Sequence, residues 1–306
     1  KNNNWHIIIN FNSLTRFRED FGQYIDEVIP IQKIYNNSAE SYFDFSSLTD
    51  QQIKSLEDNL NKKLYGHKEF KEEFINQIKN YSILYNLGEI KIMSLLICGD
   101  SGTGKTELAR IIHETFFCGS KIIKINLGNY KTQGAINSLI GSPKGYYGSE
   151  RGGELSNKIK NSDSKVILID EFEKANTDIF NFFYELLEDG IFTDLNENEY
   201  DLNGYLIIFT TNLKEENYKK TIPAPLLSRF TMKALFEPVE NEIKSKYIAE
   251  KTKTLIEKYN NKYGKEINYN DVIKQIDKNI INSTKNFRYL NRLIQKALIF
   301  SIEDKS

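Results

Sequence analysis

Two cysteines in 306 residues, Cys98 and Cys118, lie far apart and match no metal-ligand or redox spacing. No disulfide framework is available, and the chain suits a reducing compartment, so a cytoplasmic location is expected. Cys98 falls inside an apolar strand, where a thiol acts as a small core residue. No apolar run approaches eighteen residues, which excludes a membrane-spanning helix. No charge sign dominates, since 41 Lys and Arg against 42 Asp and Glu leave a net charge of −1. That balance argues against nucleic acid as the main partner, because binding to a phosphate backbone usually leaves a basic stripe. No internal repeat is present, and neither His6 nor His113 suggests a metal site. The chain starts at Lys1 rather than Met, so a longer parent protein is an open alternative and a signal peptide is not excluded. What remains is ordinary globular composition, in a length that holds one large domain and a smaller one.

Residues 1–55 differ from the rest. They are Asn-rich and aromatic, with one strand candidate at His6 to Phe11 and no chemistry to name. From there the pattern is regular. Ser47 or Thr49 can cap a helix with Ile53, Leu56 and Leu60 at helical spacing, and Phe70, Phe74, Ile75 and Ile78 continue a second helix beyond Gly66. The runs "KIMSLLIC", "KIIKIN", "KVILID", "YLIIFTT" and "KALFE" then alternate with helix-like segments. Near-continuous apolar strands in this alternation predict a parallel sheet covered on both faces. Beyond Pro238 only helices are expected. The predicted division is therefore an extension at 1–55, a large α/β domain at 56–238 and a small helical domain at 239–306.

Gly99-Asp100-Ser101-Gly102-Thr103-Gly104-Lys105-Thr106 fits the phosphate-loop pattern G-x-x-x-x-G-K-[ST], with an apolar strand before it and a helix after it. Glycines let the backbone curl so that successive N–H groups face one anion, and the helix adds its positive dipole end. Lys105 reaches the β- and γ-phosphates of ATP, the Thr106 hydroxyl meets Mg²⁺, and Glu107 completes the nucleotide-binding stretch. In "KVILIDEFEKA", Asp170 and Glu171 end a buried strand and face the same crevice. Asp170 is the expected Mg²⁺-side carboxylate, acting partly through water. Glu171 is placed to polarise a water for attack on the γ-phosphate.

The segment Gly141 to Asp194, "GSPKGYYGSERGGELSNKIKNSDSKVILIDEFEKANTDIFNFFYELLEDGIFTD", carries several motifs in a fixed order. Together with the phosphate loop, it resembles the ATPase module of Clp-type AAA+ unfoldases, above all the C-terminal ring module of the two-ring Clp proteins. The resemblance runs from about Leu56 to Phe300. It implies a three-layer α/β/α domain with a five-stranded parallel sheet, followed by a small all-helical lid. It also implies that Asn212 in "YLIIFTTNL" is the sensor-1 residue holding the attacking water. Arg229 in "IPAPLLSRFTM" matches the arginine that reaches a neighbouring subunit's γ-phosphate, although Ser-Arg-Phe-Thr replaces the usual surroundings. Arg288 in "NFRYLNRLIQKAL" aligns with the sensor-2 arginine, with Arg292 one turn away. Leu64 and Tyr65 in "KKLYGHKEF" stand where the family packs on adenine, and His67 replaces the usual Gln.

In "KGYYGSE", Tyr146 matches the aromatic that projects into the channel of a hexameric ring to grip an extended polypeptide, and Tyr147 replaces its usual aliphatic neighbour. The segment "KEENYKKTIPAP" after Asn212 contains no Ile-Gly-Leu or Ile-Gly-Phe tripeptide, so docking to a Clp-type peptidase is not expected. The resulting expectation is a Mg²⁺-ATP hydrolase that self-associates into a ring, most simply a hexamer, and threads or remodels a protein substrate. An adaptor or further domains of a parent chain would choose that substrate. Two rivals stand beside it: an ATP-gated switch without threading, as in a defence or DNA-transaction complex, and a nucleotide-binding scaffold with negligible turnover.

Overall fold

A computed structural model describes residues 44–130, 134–142, 152–276, 281, 284 and 286–303. Thr49 starts α1 (Asp50–Lys63) with a capping box. Its hydroxyl accepts from the Gln52 N–H while the Gln52 side chain accepts from the Thr49 N–H. Ile53, Leu56 and Leu60 face inward, and α2 (Lys68–Asn86) buries Phe70, Phe74, Ile75 and Ile78. Residue 55 itself lies within α1. Phe45, ahead of it, is fully buried in the same cluster as Leu56 and Leu95.

Beyond α2 the described residues form seven strands: β1 (Met93–Cys98), β2 (Ile123–Asn126), β3 (Val166–Asp170), β4 (Ile191–Thr193), β5 (Glu199–Asp201), β6 (Leu206–Thr210) and β7 (Met232–Leu235). β4 and β5 pair as an antiparallel hairpin, while the other five form one parallel sheet in the order β2-β3-β6-β1-β7. Alternate residues go to opposite faces. Leu95, Ile97, Leu168, Leu206 and Ile208 pack with α1, α2 and α3 (Lys105–Phe116). Ile125, Ile167, Ile169, Ile207 and Phe209 pack with α4 (Ala135–Ile140), α5 (Glu154–Lys160) and α6 (Thr177–Asp189). Burial on both faces explains why the central strands β1, β3 and β6 read as near-continuous apolar runs, whereas the edge strands β2 and β7 are interrupted by Lys124 and Lys233.

Short helices α7 (Glu215–Thr221) and α8 (Ala224–Leu227) link β6 to β7. Beyond Pro238, α9 (Asn241–Tyr263), α10 (Tyr269–Lys274) and α11 (Phe287–Glu303) surround a cluster of their own that includes Tyr247, Ile256, Val272, Leu290 and Ile294. No strand lies beyond β7 among the described residues, and no helix there is long and apolar enough to cross a membrane. The α/β class and the five-stranded parallel sheet read from the sequence are therefore present, with helices on both faces and at the C-terminal end.

For function, the decisive feature is the level at which the strands end. Ile97 pairs with Thr210, Ile169 with Phe209, and Asn126 with Asp170. Strand β6 lies between β1 and β3, each neighbour about 4.8 Å away. The turn that leaves β6 is thus held between the turns that leave β1 and β3.

Phe172, directly after the acidic pair, anchors this edge. It is fully buried, and the rings of Phe180, Phe183, Phe209 and Phe230 surround it with centroids 4.7–6.2 Å away, each near edge-to-face. Phe172→Ala should cost about 3–5 kcal/mol in a denaturant titration. A loss below about 1 kcal/mol would mean that the surrounding rings refill the space.

Candidate functional site

Gly99 to Gly104 leave β1 as a tight loop with left-handed backbone at Gly99 (φ 130°), Gly102 (φ 81°) and Gly104 (φ 112°). A Cβ at Gly99 would overlap the Phe236 carbonyl oxygen, so the loop can pass this close to the end of β7 only as glycine. Helix α3 then begins at Lys105, which is 6 % exposed despite its charge. Its ammonium donates to the Gly99 carbonyl, to the Asp100 carbonyl at 2.9 Å and to Asn212 Oδ1 at 3.1 Å. Burial pushes the Lys105 pKa down, and the nearby Asp170, Glu173 and Asp100 oppose that. The Thr103 hydroxyl closes the loop on the Asp100 carbonyl at 2.9 Å.

Asp170 ends β3 with both oxygens engaged. Thr210 Oγ1 donates to Oδ1 at 2.6 Å, and Lys124 Nζ pairs with Oδ2 at 2.8 Å. Burial disfavours the Asp170 carboxylate, but these hydrogen bonds and the Lys124 charge outweigh it and hold the group below the usual carboxylate range. It is therefore ionised at neutral pH. Glu171 adopts a left-handed backbone (φ 57°), uncommon outside glycine, and its carboxylate lies against Gly128. A Cβ at Gly128 would overlap Glu171 Oε2, so that glycine is what lets the carboxylate sit there. Strain of this kind is typical of groups that a site holds in a required position.

Asn212 lies just past β6, between the two halves of the site. Its Oδ1 accepts from Lys105, and its Nδ2 donates to Glu173 Oε1 at 3.3 Å. Arg288, in the first turn of α11, donates to Ser101 Oγ at 3.3 Å, and the Phe287 N–H donates to the Gly102 carbonyl at 3.0 Å. The C-terminal helices thus touch the loop through the segment that carries Arg288. Tyr65 joins them from the other side. Its ring meets Tyr247 and Phe287 at 4.8 and 6.0 Å, and its hydroxyl donates to Glu250 at 2.5 Å. Leu64 is buried beside Gly104. Glu107 pairs with Arg110 on the same helix.

Arg229 is not brought to this loop. Its backbone carbonyl accepts from Ser94 Oγ at 3.0 Å, at the amino end of β1, roughly 13 Å along the strand from the phosphate loop. Its guanidinium pairs with Glu188, donates to the Tyr184 hydroxyl at 3.2 Å and lies over the Tyr184 ring. Tyr146 and Tyr147 lie outside the described residues.

The donor set fits a nucleotide phosphate with a divalent cation. Loop N–H groups at the start of α3 suit the anion, and the Thr106 hydroxyl with the ionised Asp170 offers the oxygen ligands that Mg²⁺ accepts. Because Lys124 and Thr210 already engage Asp170, its part is better suited to a water in the ion's shell than to direct ligation.

Three further residues join the site beyond those expected from the sequence. Lys124 shares a face with Asn126, and the pairing of Asn126 with Asp170 brings that face to the acid. Glu173 lies in the 3₁₀ helix at Phe172–Lys174, directly behind the acidic pair. Its closeness to that pair is legible in the sequence. Lys124 and Thr210 need the strand order. His67 fills the space behind the loop: its Nε2 meets the Thr103 carbonyl at 2.9 Å while its ring stacks on Phe236 at 3.9 Å. A carbonyl can only accept, so Nε2 carries the proton.

The profile of the AAA domain family (Cdc48 subfamily) matches residues 90–263. Among curated proteins, the ATP-binding subunit ClpC of the ATP-dependent Clp protease from Staphylococcus saprophyticus is 31% identical over 215 residues, covering 69% of this chain and 25% of its own length. ClpC of Staphylococcus aureus is 31% identical over 214 residues, with the same coverage. The chain thus spans about a quarter of the length of these relatives.

Burial pushes the His67 pKa down, its bond to Thr103 opposes this, and Lys71 adds to the lowering. The unfolded chain then binds the extra proton first, so stability falls as pH drops below about 6.5 and levels off beneath the folded-state value. His67→Gln keeps a donor and removes the titration. The denaturation midpoint of that variant should change less between about pH 7 and 5 than that of the parent. Equal slopes would assign the loss to other groups.

Proposed function

The chain belongs to the AAA domain family of the Cdc48 subfamily, and on that premise we propose that it is a Mg²⁺-ATP hydrolysing module of the Clp type. In this reading Lys105 and the loop from Gly99 to Thr106 hold the phosphates, and Thr106 with Asp170 serves the Mg²⁺. The bound ion would supply charge neutralisation on the transferring phosphoryl group. Glu171 takes the proton of the attacking water, Asn212 orients that water, and Arg288 meets the nucleotide from the C-terminal helices. The observation that carries the reading is the convergence of Lys105, Asn212 and the Asp170–Glu171 pair on one edge of the sheet.

Arg229 completes the site of a neighbouring copy. Its place at the opposite end of β1 supports a role in trans, because its own guanidinium is held by Tyr184 and Glu188 away from its own loop. A ring, most simply a hexamer, would bring it to the next subunit's γ-phosphate and create a channel for Tyr146 and Tyr147. Threading or remodelling of a protein substrate is the work such a ring performs, in a cytoplasmic setting.

Glu171→Gln should retain ATP binding and lose at least about a hundredfold in phosphate release. Light scattering of the same variant should show a shift from monomer to about six subunits when Mg²⁺-ATP is added. Undiminished hydrolysis would remove Glu171 from the role of base. A monomer under both conditions would leave Arg229 without a target in trans and sink the ring.

A further inference from the structure

Asn212 is an amide between two groups of opposite kind. Lys105 has only hydrogens to give, and Glu173, when ionised, has only lone pairs to receive them. The side-chain oxygen and nitrogen of an asparagine are interchangeable in shape, and only their partners decide which is which. With Lys105 Nζ at 3.1 Å on one side and Glu173 Oε1 at 3.3 Å on the other, a single orientation satisfies both. The second oxygen of Glu173, Oε2, is buried without a hydrogen-bond partner among the described residues. A buried carboxylate oxygen is rarely left so unless its position serves something else. Its backbone is fixed by the 3₁₀ turn behind Asp170, which the buried Phe172 anchors.

We propose that Glu173 is a positioning residue that sets the polarity of the Asn212 amide, so that its oxygen, and never its nitrogen, faces the phosphate loop. The geometry stands alone, while the consequence for rate rests on the ATPase reading above. When Lys105 turns to a phosphate, Oδ1 of Asn212 loses its donor and becomes an acceptor pointing into the site. An acceptor there takes one O–H of the attacking water and leaves the water's lone pair for phosphorus. The other proton passes to Glu171 as the new P–O bond forms and the bond to the leaving oxygen breaks. With the amide reversed, Nδ2 would donate to the water and tie up the lone pair that has to attack. Glu173 prevents that reversal without touching the water.

The test uses the full chain with Glu173→Ala and Glu173→Gln. In the nucleotide-free parent, the side-chain amide resonance of Asn212, assigned by its loss in Asn212→Asp, should carry the downfield shift of a proton bound to a carboxylate. Both Glu173 variants should lose that shift. With ATP, kcat should fall about tenfold or more in Glu173→Ala while KM stays within about twofold, and Glu173→Gln, which keeps an acceptor oxygen, should recover part of it. An Asn212 resonance unchanged in both variants would overturn the proposal, whatever the rates. So would a lost resonance with kcat within about twofold of an active parent, since polarity would then not matter. A parent chain that hydrolyses no ATP would defeat the ATPase reading instead, and the resonance would still decide the contact. Should the Ala variant not fold, the Gln variant carries both measurements.

Discussion

A buried ammonium is the constraint on which the functional edge depends. Lys105 sits in the first turn of α3 with its charge withdrawn from water, and burial alone would favour its neutral form. It stays compatible with the fold because acceptors come to it from three separate places. The phosphate loop offers the Gly99 and Asp100 carbonyls, the turn after β6 offers Asn212, and Asp170 and Glu173 behind β3 add negative potential. Strand order makes this possible, because β6 lies between β1 and β3 and all three end level. The same arrangement that neutralises the lysine brings an ammonium, a polar amide and a carboxylate pair to one end of the sheet.

The Asp170 side of the site is organised by the same logic with the sign reversed. Lys124 from β2 and Thr210 from β6 hold the carboxylate ionised from both neighbouring strands. Glu171, one residue on, is fixed through its backbone instead. Its left-handed turn directs the side chain onto Gly128, where a larger residue would have to displace the carboxylate. Adjacent acids thus receive opposite treatment, one locked by hydrogen bonds and the other placed by its backbone.

Much of this is legible in the chain. The phosphate loop and the acidic strand end are local patterns, and local patterns survive in a single sequence. The central strands are legible because burial on both faces leaves near-continuous apolar runs. The bridge made by Asn212 is not, because it depends on which strand lies in the middle, and strand order is not written in any one segment. Lys124 and Thr210 stay hidden for the same reason. Glu173 is within reach of sequence reasoning, since it follows the acidic pair directly in the same short segment. The composition change near residue 55 is legible too, while the packing of Phe45 with Leu56 across it is not. Leu64 and Arg288 stand beside the loop, and Tyr65 is engaged by Tyr247, Phe287 and Glu250.

Arg229 and the phosphate loop occupy opposite ends of the same strand. If one copy's arginine serves the next copy's loop, the two surfaces that meet are different, and each copy still has one of each to offer. Such head-to-tail contacts cannot stop at a pair. They add copies until the rotation closes on itself, or they run on as a filament. The angle between the two ends of β1 would then fix subunit number, and any segment that bends that angle would choose between a closed machine and an open polymer.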